Sequence, residues 1–174
     1  MRPAIVGTML MLGIAAATAS LAQSDPPNPE KGAALPCPLS APYDSNNVFA
    51  RIIRGQLPAS IVAQDARAIA IIPLDWEHPG HALVIPKRPV RNLYDLGDRD
   101  LVAVMNMVKR VATAQQRALG STGFSLQQNN ASKQDVCQLH FHVIPNTPLV
   151  PRVRATRAEM DAMAERLKAA LPKG

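Results

Sequence analysis

The chain has 174 residues, a formal net charge of +6 and 47% apolar residues, a length and balance that suit one globular domain with one core. Only 3% of the residues are aromatic, so aliphatic side chains must fill that core, and sixteen prolines predict long irregular connections. The positive charge suits an anionic small molecule or an acidic envelope; Lys and Arg are not interleaved with aromatics, which argues against nucleic acid as the partner.

Arg2 opens the chain and is followed by an uncharged run, IVGTMLMLGIAAATA (5–19), and by the small-residue stretch Ser20-Leu21-Ala22. This order of features predicts a signal peptide over residues 1–22, cleaved after Ala22, and hence a periplasmic or secreted protein with no membrane attachment once cleaved. The apolar part is short and rich in Ala, Gly and Thr, a poor match to a membrane span. Residues 23–45, rich in Pro, Ser, Ala and Gly, read as an extended arm, and residues 46–174 as the folded domain. Cys37 and Cys137 either form one disulfide, as an oxidising compartment permits, or stand as separate thiols with Cys137 buried; spacing does not choose between these.

VFARII (48–53) predicts a short helix ending at Gly55. SIVAQ (60–64) and AIAII (68–72) read as strands joined by a turn at Asp65, residues 75–80 as a turn-rich loop, and HALVIP (81–86) as a third strand. The strongest helix spans residues 98–118, with Asp98 as N-cap and a stripe of Leu101, Met105, Val108, Val111 and Ala112. FSLQQN (124–129) and VCQLHFHVI (136–144) supply two more strands. Thr156 and Glu159 have the spacing of a capping box, which starts a last helix running to about Leu171 along Met160, Met163 and Leu167. The expected fold is α+β: a five-stranded, mainly antiparallel sheet with one long helix and a C-terminal helix.

Chemistry concentrates in Gln138-Leu139-His140-Phe141-His142-Val143-Ile144-Pro145. Alternate strand residues share a face, so Gln138, His140 and His142 should project one way and Leu139, Phe141 and Val143 the other, into the core. Two imidazoles on one sheet face form a preorganised pair, one able to act as nucleophile while the other stabilises charge or moves a proton. Taken alone, such a pair also suits metal binding.

This segment resembles the motif of the histidine triad (HIT) family, in which three histidines alternate with apolar residues. HPGHALVIPKRPVRNLYDL (78–96), ARIIRGQLPASIV (50–62) and FSLQQNN (124–130) resemble further blocks of that family, in family order. The resemblance implies a HIT-like fold and hydrolysis or nucleotidyl transfer at a nucleoside 5′-phosphoryl group, of the phosphoramidate or dinucleoside polyphosphate type. It makes His140 the nucleophile that carries a transient nucleotidyl group, His142 a phosphate stabiliser and His81 a third imidazole beside the reacting phosphate. Asn129, Gln134, Asp135 and Gln138 fall at polar substrate-side positions. It also implies a homodimer and no cofactor, with a small-molecule nucleotide or phosphorylated compound as partner.

Three departures bear on the chemistry. Gln138 replaces the first triad histidine and cannot titrate. Pro73 stands where relatives often hold a ribose-binding Asp, with Asp75 nearby. Asp135 replaces a Ser or Thr, bringing negative charge toward a phosphate. Relatives with a structural zinc would place its ligands at Asn47, Ala50, Pro89 and Gln138, none of them a good zinc ligand, so no metal is expected; a bridge between Cys37 and Cys137 would then be a substitute brace. Besides an active hydrolase, two other functions fit these residues. One is a catalytically degenerate HIT-fold protein that binds nucleotides or anions in the periplasm. The other is a metal binder using His78, His81, His140 and His142, although His78 reads more simply as a solvated loop residue.

Overall fold

The computed structural model describes residues 37–76, 78–148 and 153–173. The expected signal peptide and the first part of the expected arm, residues 1–36, lie outside them.

Five strands form one antiparallel sheet. They are β1 (Ser60–Gln64), β2 (Ala68–Ile72), β4 (Ala82–Pro86), β5 (Phe124–Gln128) and β6 (Phe141–Pro145), in the spatial order β1-β2-β4-β6-β5. The α+β expectation holds. A two-stranded ribbon pairs β3 (Asp75–Trp76) with β7 (Val153–Arg154). The sequence predicts only a loop at residues 75–80, because two residues are too few to show a period and their partner lies far along the chain.

Among the described residues the α-helices are α1 (Val48–Ile53), α2 (Asp98–Leu119) and α3 (Arg157–Ala169). Asn47 caps α1 by accepting from the Ala50 N–H at 3.0 Å. Thr156 and Glu159 form the expected capping box of α3. In α2 the N-cap is Gly97 rather than Asp98, which becomes the first helical residue; there its carboxylate, with that of Asp100, faces the positive end of the helix dipole. Arg67 reaches Asp100 at 2.6 Å and ties the β1–β2 turn to the start of α2.

The sheet is covered on both faces, and period-2 alternation sorts its side chains. Ala68, Ala70, Ala82 and Val84 point to the face carrying α2 and α3, where they meet Val104, Met107, Val111, Ala114 and Leu167. Ile69, Ile71, Leu83 and Ile85 point to the other face and pack with Phe49 of α1. Small residues beneath the helices allow close approach, while isoleucines fill the thinner side, so the core closes with almost no aromatics. The buried side of α2 is rotated from the expected stripe. Val104, Met107, Val111 and Ala114 are fully buried, whereas Leu101, Met105 and Ala112 are only partly covered. Both sets recur at helical spacing, and only the sheet beneath decides which faces inward.

Candidate active site

Leu139, Phe141 and Val143 join the α2 side of the core, as alternation predicts. His142 is paired with Leu83 of β4 and Gln127 of β5, on the opposite face. The expected strand over residues 136–144 is shorter at its start. Strand β6 begins at Phe141, and residues 137–140 approach it without ladder pairing.

The three candidate imidazoles form a row. The His140 and His142 ring centroids are 5.0 Å apart, and those of His142 and His81 are 5.2 Å apart and stacked. His81 Nε2 and His142 Nδ1 share a hydrogen bond at 3.1 Å. His140 closes the row against the edge of Phe49 at 5.1 Å. His140 is buried, at 4% exposure, whereas His81 and His142 are half-buried, so the row runs from the interior toward the surface.

His140 Nδ1 lies 2.8 Å from the backbone carbonyl of Gln138. A carbonyl only accepts, so Nδ1 must carry the hydrogen, and Nε2 is left with its lone pair. Burial lowers the pKa of His140 and outweighs the opposing effects of that hydrogen bond and the Asp135 charge. Burial, and then the neighbouring His142, pushes His81 down to about 3. Burial and His140 push His142 down to about 4, with Asp135 pulling the other way. At neutral pH all three rings are uncharged, which is the state a nitrogen nucleophile requires.

His81 is delivered by a turn that only glycine permits. Gly80 has φ +88°, and a Cβ there would lie 2.2 Å from Leu119 Cδ1 of α2. Gln115 of α2 then fastens two chain segments at once. Its Nε2 donates to the Gly80 carbonyl and to the Val143 carbonyl, each at 2.9 Å. The residues adjoining these carbonyls are His81 and His142. Sequence gives no sign of this role: Gln115 appears there as a polar interruption of an apolar stripe. Phe49, Tyr43 and Arg91 are likewise invisible as site residues until the fold brings them in.

The polar candidates divide. Asp135 is exposed, and its charge is felt by His140 and His142. Asn129 accepts from Gln127 at 3.3 Å and so belongs to the end of β5. Gln134 and Gln138 are turned inward. Gln134 is 3% exposed and spends its amide donors on the Arg91 and Val136 carbonyls, at 2.6 and 2.9 Å. Gln138 is 0% exposed; it accepts from Tyr43 Oη at 2.7 Å and donates to the Pro86 carbonyl at 3.3 Å. In this structure both amides have committed donors and brace the chain around them. His78 is half-buried rather than solvated, with Nδ1 3.3 Å from the Thr147 carbonyl. No group of three or more metal-ligating side chains with metal-site geometry occurs among the described residues.

Cys37 and Cys137 form a disulfide, with Cα atoms 5.3 Å apart and a sequence separation of 100. Of the two possibilities open in the sequence, the fold selects the bridge.

Residues 54–149 match the HIT domain. The chain is 35% identical over 100 residues to a 13.1 kDa HIT-like protein of Mesomycoplasma hyorhinis, covering 56% of this chain and 90% of that protein. It is 32% identical over 100 residues to an adenosine 5′-monophosphoramidase of Schizosaccharomyces pombe, covering 56% of this chain and 72% of that one. Among solved structures, a HIT-like protein from Bartonella henselae superposes with a TM-score of 0.69 at 36% identity, over 74% of this chain and 98% of that one. A zinc-bound histidine triad family protein from Mycobacterium smegmatis superposes with a TM-score of 0.64 at 27% identity, over 72% of this chain and 92% of that one. The chain therefore belongs to the HIT-domain family.

Proposed function

We propose that this protein is a nucleotide hydrolase or nucleotidyl transferase acting at a nucleoside 5′-phosphoryl group through a covalent intermediate on His140. The observation that carries this is the hydrogen bond from His140 Nδ1 to the Gln138 carbonyl, which aims an unprotonated Nε2 away from the backbone as a fixed nucleophile. In the first step Nε2 attacks the α-phosphorus, an N–P bond forms, and the bond to the leaving nitrogen or oxygen breaks. In the second step water attacks the same phosphorus, the N–P bond breaks, and the nucleoside monophosphate leaves with His140 restored. The linked His142 and His81 are suited to contact the phosphoryl oxygens through the N–H that their shared hydrogen bond leaves free, and the departing group takes its proton from solvent. Support for a nucleotide substrate comes from relatives named adenosine 5′-monophosphoramidase in Schizosaccharomyces pombe and Saccharomyces cerevisiae.

Homodimerisation is supported by β5, an edge strand paired with β6 on one side only, where Phe124 is 47% and Leu126 44% exposed, the kind of edge that partners cover. Export is supported by the Cys37–Cys137 bridge, which belongs to an oxidising compartment; on that basis residues 1–22 act as a signal peptide.

The test is intact-mass analysis after mixing the protein with adenosine phosphoramidate or dinucleoside polyphosphates. An adenylyl adduct lost in His140→Ala, together with loss of turnover, is the expected result. Turnover by His140→Ala at the wild-type rate overturns the mechanism. Undiminished nucleotide affinity in that variant, with no turnover by the wild type, identifies the degenerate binding protein instead.

A further inference from the structure

We propose that the segment 37–43 is a positioning strap for His140, which fixes the Gln138 carbonyl by holding the Gln138 side chain through Tyr43. His140 precedes the first residue of β6, so the sheet ladder does not fix its ring. The backbone of 137–140 is held instead by the Gln138 N–H on the Val136 carbonyl, at 2.7 Å, and by the Leu139 N–H on the Val90 carbonyl, at 2.9 Å. The Gln138 side chain adds a bond to the Pro86 carbonyl at 3.3 Å, Leu139 is buried in the core, and the strap supplies further restraints.

Three contacts anchor that strap. The disulfide joins Cys37 to the residue next to Gln138. The Cys37 N–H donates at 3.3 Å to the carbonyl of Ala131, a residue held at φ 52°, a left-handed conformation that persists only where surrounding contacts compensate for it. Arg91, 5% exposed, directs one guanidinium nitrogen at the carbonyls of Pro38, Leu39 and Ala41, the last two at 3.1 and 2.7 Å. Thus secured, the strap presents Tyr43 Oη to Gln138 Oε1 at 2.7 Å.

Gln138 is the junction. Its side-chain oxygen takes the strap, its side-chain nitrogen takes the end of β4 through the Pro86 carbonyl, and its backbone oxygen takes His140 Nδ1. With no exposure, the amide has no water to replace a lost partner, so losing Tyr43 Oη leaves a buried acceptor orphaned. The side chain then reorients, and the carbonyl that sets the His140 tautomer moves with it. Tyr43 and Gln138 are positioning residues in this scheme, because neither touches the reacting atoms.

The strap rests on His140 being the nucleophile, so it is tested by two readouts, one of which needs no turnover. In the full-length oxidised protein, Tyr43→Phe keeps the disulfide and the ring but removes the donor. With adenosine phosphoramidate, kcat should fall roughly ten- to a hundredfold, the loss that a misplacement of about an ångström brings, while KM stays within about twofold. Nitrogen NMR of His140 should show one Nδ1–H tautomer in the wild type and a mixture of tautomers in Tyr43→Phe. The double variant Cys37→Ser/Cys137→Ser should change both readouts in the same direction. Wild-type kcat and an unchanged tautomer in Tyr43→Phe overturn the proposal, whether or not the cysteine variant folds. If the wild type shows no turnover or adduct, the catalytic assignment of His140 fails, and the tautomer comparison still decides whether the strap positions the ring.

Discussion

Replacing Gln115 by methionine isolates what α2 contributes to the site. The side chain is fully buried and donates at 2.9 Å to the Gly80 and Val143 carbonyls, while its own Oε1 is buried without a hydrogen-bond partner. Methionine has nearly the same length and fills the same space, so no large cavity opens. Two buried carbonyls lose a donor, at about 1–3 kcal/mol each. Val143 lies in the middle of a strand, so its loss falls at the low end, whereas the Gly80 carbonyl sits in a turn and meets no backbone donor among the described residues. Removing the unpartnered Oε1 returns about 1–3 kcal/mol on the same scale. The expected net destabilisation is about 2 kcal/mol, read as a lower urea midpoint with an unchanged slope. Catalysis should suffer as well, because Gly80 and Val143 are the chain neighbours of His81 and His142, whose rings meet at 3.1 Å. A Gln115→Met variant within about 0.5 kcal/mol of wild type, inside the usual range for surface substitutions, would show that the clamp holds nothing.

Two further outcomes follow from other parts of the structure. The Cys37–Cys137 bridge closes a loop of about one hundred residues, so Cys37→Ser/Cys137→Ser should lose about 4–5 kcal/mol to the regained freedom of the unfolded chain; equal denaturant midpoints with and without a reductant would refute this. The histidine row should make stability fall in acid. His81 and His142 titrate in the unfolded chain near pH 6.5 and in the folded one at about 3 and about 4. Between those limits the unfolded state binds more protons, so the stability present above about pH 6.5 is lost progressively as the pH drops toward 4 and then 3. Denaturant melts across that range check the sign, and replacing His81 by glutamine should flatten the slope.

Much of this molecule was legible in its sequence. The elements α1, β1, β2 and β4 fall where local pattern puts them, because each is a short, mostly apolar run bounded by Gly, Pro or Asp. The capping box of α3 is complete within four residues. Alternation places Phe141 and Val143 in the core and His142 on the other face, as strand geometry dictates, and Leu139 keeps the same alternation just ahead of the strand. What depended on tertiary structure are matters of partner rather than period. Which stripe of α2 turns inward, the ribbon between β3 and β7, and the burial of Gln134 and Gln138 all require knowing what lies opposite. So does the site's support: Gln115, Tyr43 and Arg91 bind carbonyls or amides distant in sequence, and no local pattern marks a side chain whose partner is supplied by another part of the chain. The sequence determined where the imidazoles stand along the backbone, but packing determined that they form one row and which nitrogen of His140 is free.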